Sequence, residues 1–205
     1  MTFLIIPLFF MGLRPVLTPP ADVQAAGIDS GQRAEAIFAG GCFWCMEDPF
    51  DQVDGVVSTT SGYTGGDLKN PRYRQVVRGD SGHAEALRLV YDPERVSYEQ
   101  LLAVFWKNVD PTDAGGQFCD RGDPYRSEIF TVDAQQLQAA LASKARLQRQ
   151  RPFDKSIVTP ITPASTFYPA EGYHQDYYLK NPLRYRYYRF GCGRDARLRE
   201  LWGTQ

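Results

Sequence analysis

The sequence predicts a single α+β domain, a two-layer sandwich in which helices cover a mixed β-sheet. Short segments with an apolar residue at every second position alternate with segments of helical periodicity, an order typical of α/β and α+β proteins. No internal repeat, low-complexity stretch or interdomain linker interrupts this order. A chain of 205 residues with 43% hydrophobic residues suits one domain and can bury a core without disulfide or metal staples.

Three strands are predicted in the first half of the chain, and each ends at a turn signal. Residues 34–38 run into Gly40 and Gly41, and residues 56–61 run into a glycine-rich turn. Residues 83–91 alternate large apolar side chains with other residues before an Asp-Pro pair closes the segment. We expect the three strands to share one sheet.

The sequence from residue 97 onward predicts three helices and two further strands. Ser97 and Gln100 form the signature of a capping box, and the apolar residues of 101–106 fall on one face of the helix that the box opens. Residues 110–125 have no periodicity, and a polar loop of this length tends to be functional. The remaining predicted elements are a strand at 127–132, a helix at 133–151, a strand at 157–161 and a terminal helix at 194–202.

The charge balance excludes several classes of partner. The 23 Lys and Arg residues against 24 Asp and Glu give a net charge of −1, so the chain lacks the basic excess of nucleic-acid and anionic-membrane binders. Residues 177–199 do interleave tyrosines with arginines, a pattern that can stack bases and bind phosphates. Because the chain carries no RNA-binding motif, we predict no nucleic-acid partner and interpret this tail as one that packs its rings over the domain. An RNA-interaction module is the non-enzymatic alternative.

The N-terminal segment favours export. Residues 3–11 are an apolar run of nine, about half of the ~20 residues that a membrane-spanning helix needs. Small residues follow, as near a signal-peptide cleavage site, but the first Arg is Arg14 and the usual basic segment before the run is missing. We expect residues 1–26 to be a signal peptide or disordered leader and residues 31–205 to fold, with a cytoplasmic protein as the alternative and no stable membrane insertion.

The segment after the first predicted strand carries most of the chemical information. Two glycines and a helix-forming stretch place Cys42 at or next to a helix N-terminus, where the macrodipole favours a thiolate of lowered pKa. Cys45 lies one helical turn further on, within disulfide reach of Cys42. Two buried, inert cysteines are the structural alternative. A metal site would need a second pair of ligands at suitable spacing, so we predict none.

Two redox interpretations of the Cys-x-x-Cys pair compete. A thioredoxin-like disulfide oxidoreductase carries this motif between a strand and a helix. Here, however, Phe43 and Trp44 separate the cysteines. Two large rings beside a nucleophile suit an apolar pocket for a small organic group, such as the methyl of a thioether.

Motifs from Gly40 to the end of the chain, about four-fifths of its length, carry a resemblance to a known family. They are GGCFWCME, GVVSTTSGYTGG, NPRYRQVVRGDSGHAEALRLVYDP, VSYEQLLAVFW, DPTDAGGQFCDRG with YRSEIF, ITP, FYPAEGYHQDYYLKNP and CGRDARLRELWG. In this order they resemble the A-type peptide methionine sulfoxide reductases. The resemblance implies a ferredoxin-like, split βαβ core and the reduction of methionine-S-sulfoxide, free or in oxidised proteins. It also implies no cofactor, a thioredoxin-like reductant and a monomer.

The resemblance also implies roles for individual residues. A sulfoxide sulfur is a weak electrophile, so its reduction needs a thiolate to attack it and acids to stabilise the oxygen. Taken singly, Glu85 could form a salt bridge, Tyr73 could be a packing residue and His174 a structural histidine. The implied roles are Cys42 as nucleophile, Glu85 as general acid, Tyr73 and Tyr125 as hydroxyl donors, Asp120 as the residue that holds this corner, and Phe43, Trp44 and His174 as the substrate pocket.

A second cysteine must then resolve the sulfenic acid that attack leaves on Cys42. Cys45 is next in sequence, whereas Cys192 lies between two glycines in a tail that many family members use for this step. We expect Cys45 to act first and Cys192 to present the disulfide to the reductant, and we expect Cys119 to be a small, at least half-buried filler. Pro124 stands where the family usually has Gln, and it fixes the backbone next to Tyr125.

Overall fold

A computed structural model of the protein describes Met1 and residues 33–203, so the rest of the expected leader lies outside the described residues. The strands of this part of the chain are β1 (Ala34–Gly40), β2 (Val56–Thr64), β3 (Ala84–Tyr91), β4 (Gly116–Gln117), β5 (Asp120–Arg121), β6 (Ser127–Thr131), β7 (Ile161–Pro163) and β8 (Tyr168–Pro169). Its helices are α1 (Phe43–Asp51), α2 (Tyr73–Val76), α3 (Tyr98–Lys107), α4 (Ala134–Gln150), α5 (Tyr177–Lys180), α6 (Pro182–Gly191) and α7 (Arg194–Trp202).

Six strands form one mixed sheet in the order β7-β6-β1-β3-β2-β8. Neighbouring strands are antiparallel except β6 and β7, which are parallel. The predicted mixed sheet within an α/β fold is therefore confirmed. Among residues 33–203, no helix is long and apolar enough to cross a membrane.

The core lies between the sheet and the helices α1, α3 and α4. Its centre is Phe38 of β1, which is fully buried and stacks on Phe50 of α1 and on Tyr98 and Phe105 of α3. Truncating such a buried ring to alanine typically costs about 3–5 kcal/mol of stability. This packing fixes the end of β1 against the start of α1, where the cysteine pair lies.

The capping box predicted at the start of α3 is confirmed. The backbone N–H of Gln100 donates to Oγ of Ser97 at 3.2 Å, and the backbone N–H of Ser97 donates to Oε1 of Gln100 at 2.8 Å. The two side chains thus satisfy N–H groups that the first helical turn leaves unpaired.

The predicted strand at 157–161 is wrong except for its last residue, because β7 covers only Ile161–Pro163. Pro160 has no N–H to donate to a ladder, and its carbonyl instead accepts from the backbone N–H of Ile129. The segment 110–125 is not an unstructured loop, since β4 pairs with β5 and a 3₁₀ turn follows at Asp123–Tyr125.

The tail after residue 177 forms the helices α5, α6 and α7, of which only α7 was predicted. Pro182 occupies the first turn of α6, a position that favours proline because its missing N–H would be unpaired there. The expectation that the tail packs its rings over the domain holds for some of them only. Tyr185 is 5% exposed, whereas Tyr187 is 83% exposed on the opposite side of α6.

Candidate active site

A glycine turn positions Cys42 at the start of α1. Gly41 has φ of +80°, and a Cβ there would lie 2.6 Å from Cβ of Gln117. Only glycine combines this left-handed backbone with so close an approach. The turn makes Cys42 the N-cap residue of α1, as its position after a strand and two glycines predicted.

The two thiols of Cys42 and Cys45 are buried and hydrogen-bond to each other. Burial raises the pKa of the Cys42 thiol, and its contact with Cys45 raises it further. The hydrogen bond from Cys42 and the charges of Arg194 and Arg189 lower the pKa of Cys45 to about 7 against the opposing effect of burial. The expectation of a lowered pKa for Cys42 is therefore wrong, because loss of water around the sulfur outweighs the helix dipole, and the pair places its negative charge on Cys45.

Glu85 of β3 faces the cysteine pair from the sheet. It is 2% exposed, and its Oε2 accepts a hydrogen bond of 3.1 Å from the backbone N–H of Phe43. Burial raises the pKa of its carboxyl to about 8, against the lowering effect of that hydrogen bond. Glu85 is therefore mostly protonated at neutral pH and can donate a proton next to Cys42.

Aromatic rings form one wall beside Cys42. The ring of His174 lies 5.0 Å from that of Phe43 and 4.5 Å from that of Tyr73. The indole N–H of Trp44 donates to Nδ1 of His174 at 3.2 Å, and Tyr177 stacks on the indole at 3.7 Å. Burial lowers the pKa of His174, so its ring is neutral and accepts this hydrogen bond. The wall is apolar but fixed in orientation by a polar contact.

Two tyrosine hydroxyls approach the same site from different elements. Tyr73 of α2 and Tyr125 of the 3₁₀ turn hydrogen-bond to each other. Burial raises the pKa of Tyr73 to about 12, and burial likewise raises the pKa of Tyr125, with the charge of Glu85 adding to both. Both hydroxyls therefore keep their protons and remain donors. Pro124 fits the 3₁₀ turn and leaves Tyr125 in this cluster.

Asp120 lies at the corner where the loop hairpin meets the tail. The hydroxyl of Tyr188 donates to its Oδ2, and Sγ of Cys192 lies 3.9 Å from the same oxygen. Burial raises the pKa of this carboxyl. Its charge in turn raises the pKa of Cys42, which indicates that this corner is electrostatically linked to the thiol pair.

A disulfide joins Cys119 to Cys192, with the two Cα atoms 4.8 Å apart. The expectation that Cys119 is a filler is wrong, since its side chain is exposed and bonded to a cysteine 73 residues away. Cys42 and Cys45 are free thiols. Cys119, Asp120 and Cys192 cluster closely enough to hold a metal ion, but the disulfide leaves neither sulfur as a thiolate ligand.

Sequence reasoning missed several residues that hold the site in place. Arg194 of α7 is 1% exposed and donates to the carbonyls of Gly40 at 3.1 Å and Asn108 at 2.6 Å. Glu171 accepts from the hydroxyl of Tyr63 and from the backbone N–H of Tyr73. Arg194 belongs to the CGRDARLRELWG motif and Glu171 to FYPAEGYHQDYYLKNP, but nothing local in either sequence indicates which distant carbonyl or hydroxyl it meets.

Comparison with known proteins places this chain in a family. The family model described as peptide methionine sulfoxide reductase matches residues 34–205. The peptide methionine sulfoxide reductase MsrA 2 of Caulobacter vibrioides is 53% identical over 169 residues, which cover 82% of this chain and 85% of that protein. The peptide methionine sulfoxide reductase MsrA of Bacillus subtilis is 49% identical over 176 residues, which cover 86% and 99% of the two chains.

Two solved structures share the fold. Mxr1 of Saccharomyces cerevisiae in its reduced form aligns with a TM-score of 0.70 and 31% identity, over 75% of this chain and 88% of that chain. Methionine sulfoxide reductase A of Corynebacterium diphtheriae aligns with a TM-score of 0.67 and 34% identity, over 75% and 77% of the two chains. The chain belongs to the peptide methionine sulfoxide reductase family.

Proposed function

We propose that this protein reduces methionine sulfoxide to methionine and water with electrons taken from its own cysteine thiols. Membership of the family supports the activity. The observation that carries the proposal is the junction at the start of α1, where the N–H of Phe43 donates to the protonated Glu85 and the preceding residue is the buried thiol Cys42. A nucleophile and a proton donor thus face one small volume.

In the proposed first step the sulfur of Cys42 attacks the sulfur of the sulfoxide. The thiol of Cys42 gives up its proton through its hydrogen bond to Cys45, the side of the pair that more readily carries the negative charge. Glu85 donates its proton to the sulfoxide oxygen as charge develops there, and the hydroxyls of Tyr73 and Tyr125 can stabilise that oxygen by hydrogen bonds. Collapse of the adduct releases methionine and leaves a sulfenic acid on Cys42.

The aromatic wall supports the choice of substrate. The rings of Phe43 and Trp44 offer an apolar, polarisable surface that suits the methyl group next to the sulfoxide sulfur. Asymmetry between this wall on one side and the proton donors on the other would select one sulfoxide epimer, because the oxygen and the methyl must each meet their own partner. The resemblance to the family implies that this epimer is the S form.

In the proposed second step Cys45 attacks the sulfenic sulfur, a Cys42–Cys45 disulfide forms and water leaves. The charges of Arg194 and Arg189 support Cys45 in this role, since both lower its pKa and favour the thiolate that attacks. A dithiol protein of the thioredoxin type then returns the enzyme to its thiol form. Every electron carrier in this scheme is a cysteine, so we propose no prosthetic group.

The test is an assay of dabsyl-methionine sulfoxide with dithiothreitol, run separately on the two epimers. We expect turnover of the S epimer alone and its loss in Cys42→Ser. The competing hypothesis is a thioredoxin-like disulfide oxidoreductase. Reduction of insulin disulfides without any sulfoxide turnover would support that hypothesis and contradict ours.

Two features of the whole chain also belong to this proposal. The strands β6-β1-β3-β2 are antiparallel throughout, α1 follows β1 and α3 follows β3, an order that supports a ferredoxin-like, split βαβ core. We further propose that the protein is a monomer, as the resemblance to the family implies. We also propose that its leader exports it, because residues 3–11 form an apolar run like the core of a signal peptide. Loss of about 25 residues in the intact mass of the mature protein is expected, and retention of residues 3–11 would contradict export.

A further inference from the structure

The four cysteines form two pairs in opposite redox states and opposite environments. Cys42 and Cys45 are thiols that are 5% and 2% exposed, whereas Cys119 and Cys192 form a disulfide whose Cys119 side is exposed. A folded dithiol protein must bring its sulfur to within bonding distance of the sulfur that it attacks. The buried pair is poorly placed for such an attack, and the exposed pair is well placed.

The disulfide is also asymmetric in the way that its two sulfurs would respond to attack. The backbone N–H of Cys119 donates to Sγ of Cys192 at 3.2 Å. This hydrogen bond favours negative charge on Cys192, whereas the carboxyl of Asp120, 3.9 Å from the same sulfur, opposes it, so the exposure of Cys119 decides which sulfur is attacked. An incoming thiolate would therefore bond to the exposed sulfur of Cys119 and expel Cys192.

The structure also connects the released Cys192 to the buried pair. Cys192 is the C-cap residue of α6, and three residues earlier Arg189 of the same helix reaches the carbonyl of Cys45 at 3.5 Å. Gly193 follows Cys192 with φ of +70°, and a Cβ there would meet no atom within 4 Å. Glycines flank Cys192 on both sides and leave the backbone there free to change conformation, which a turn of Cys192 toward Cys45 requires.

Resting on the proposed function, we propose that Cys119 is the residue at which the reductant enters, and that Cys119 and Cys192 pass its electrons to the buried pair. The thiolate of a thioredoxin-type dithiol bonds to Cys119 and releases Cys192, and the second thiol of the reductant then frees Cys119 and leaves with the reductant's own disulfide. Next, the Cys192 thiolate attacks Cys45 in the Cys42–Cys45 disulfide and releases Cys42. Finally, the Cys119 thiolate attacks Cys192, releases Cys45 and restores the Cys119–Cys192 disulfide.

A purely structural disulfide is the competing account, and the stoichiometry of a reductant-free reaction separates the two. The enzyme is fully reduced with dithiothreitol, and the dithiothreitol is then removed under anaerobic conditions. This enzyme is mixed with excess sulfoxide, and the number of methionines formed per chain is measured. If the two cysteine pairs exchange electrons, each chain forms two methionines, and peptide mapping then finds Cys42–Cys45 and Cys119–Cys192 bonds. The matched variant Cys119→Ser with Cys192→Ser gives one. One methionine from the wild type, or a Cys45–Cys192 bond with Cys119 free, would overturn the proposal.

Trapping identifies the entry residue directly. The probe is a thioredoxin whose second active-site cysteine is changed to Ser, so that its mixed disulfide with the oxidised enzyme cannot resolve. We expect the trapped peptide to contain Cys119. A bond to Cys192, Cys45 or Cys42 would refute the assignment. Absence of sulfoxide turnover even with dithiothreitol would instead refute the proposed function, so the two failures are distinguishable.

Discussion

The backbone N–H of Phe43 donates to Oε2 of Glu85 at 3.1 Å. This contact joins the first turn of the helix that follows Cys42 to the strand that carries the buried carboxyl. It therefore holds the proposed nucleophile and the proposed acid close to each other, although 42 residues separate the two ends of the hydrogen bond.

Glu85→Gln tests the proposed acid. The amide keeps an acceptor for the N–H of Phe43 but has no acidic proton, so we expect kcat/KM to fall by about 10²–10⁴-fold with little change in stability. Because the pKa of Glu85 is raised to about 8, wild-type activity should decrease as the pH rises through 8 and the carboxyl loses its proton. Rate measurements from pH 5 to 10 check both points, and the high-pH decrease should vanish in the variant.

Glu47→Gln is the matched control for that pH profile. Glu47 of α1 is also buried, and burial raises the pKa of its carboxyl to about 7, but it accepts from the backbone of Asp176 rather than from Phe43. We expect this variant to keep the decrease of activity above pH 8. Persistence of that decrease in Glu85→Gln would show that another group causes it.

Cys45→Ser tests the order of disulfide formation. Without the neighbouring thiol, the sulfenic acid on Cys42 should persist after the first turnover and react with dimedone, while wild-type enzyme quenched early should contain a Cys42–Cys45 bond. Mass spectrometry of alkylated peptides distinguishes the two. An early Cys42–Cys192 bond in the wild type, with Cys45 alkylated, is the result that contradicts Cys45 as first partner.

His174→Phe tests the orientation of the aromatic wall. The substitution keeps a ring beside Phe43 but removes the acceptor of the Trp44 N–H, and an unpaired buried donor costs about 1–3 kcal/mol. We expect KM to rise about tenfold with kcat within a few-fold of the wild type, since the proposed role of the wall is to bind the methyl group and not to transfer protons. His174→Gln, which can still accept, should recover much of the loss. Equal losses in kcat for both variants would assign His174 a part in the chemistry.

Gly41→Ala tests the turn that presents Cys42. An alanine there would be strained at φ of +80°, and its Cβ would lie 2.6 Å from Cβ of Gln117. We therefore expect urea unfolding to show that the free energy of unfolding falls by roughly 1–3 kcal/mol. Activity should fall as well, because the turn sets the position of the thiol. Gly191→Ala is the control, since nothing lies within 4 Å of its Cβ position. Equal stability of the two variants would contradict the role given to this turn.

Local signals account for the parts of the fold that the sequence predicted well. The box of Ser97 and Gln100 needs only residues within one turn of each other, and it starts α3 where the pattern placed it. The prediction of a strand at 157–161 was wrong for a local reason too, since Pro160 has no N–H to donate to a neighbouring strand. The helix α6 was missed although Pro182 is a recognisable start signal, because its exposed and buried tyrosines obscure any apolar face.

The sequence by itself determined that Cys42 begins a helix after a strand and two glycines, and it supplied a candidate proton donor, an aromatic pair and four cysteines in recognisable motifs. Only the tertiary structure decided how those groups behave. Burial raises the pKa of Cys42 and gives the charge to Cys45, and packing of the tail brings Cys192 to Cys119 across 73 residues. Desolvation and distance between remote segments depend on the whole packed chain, so no local pattern encodes them.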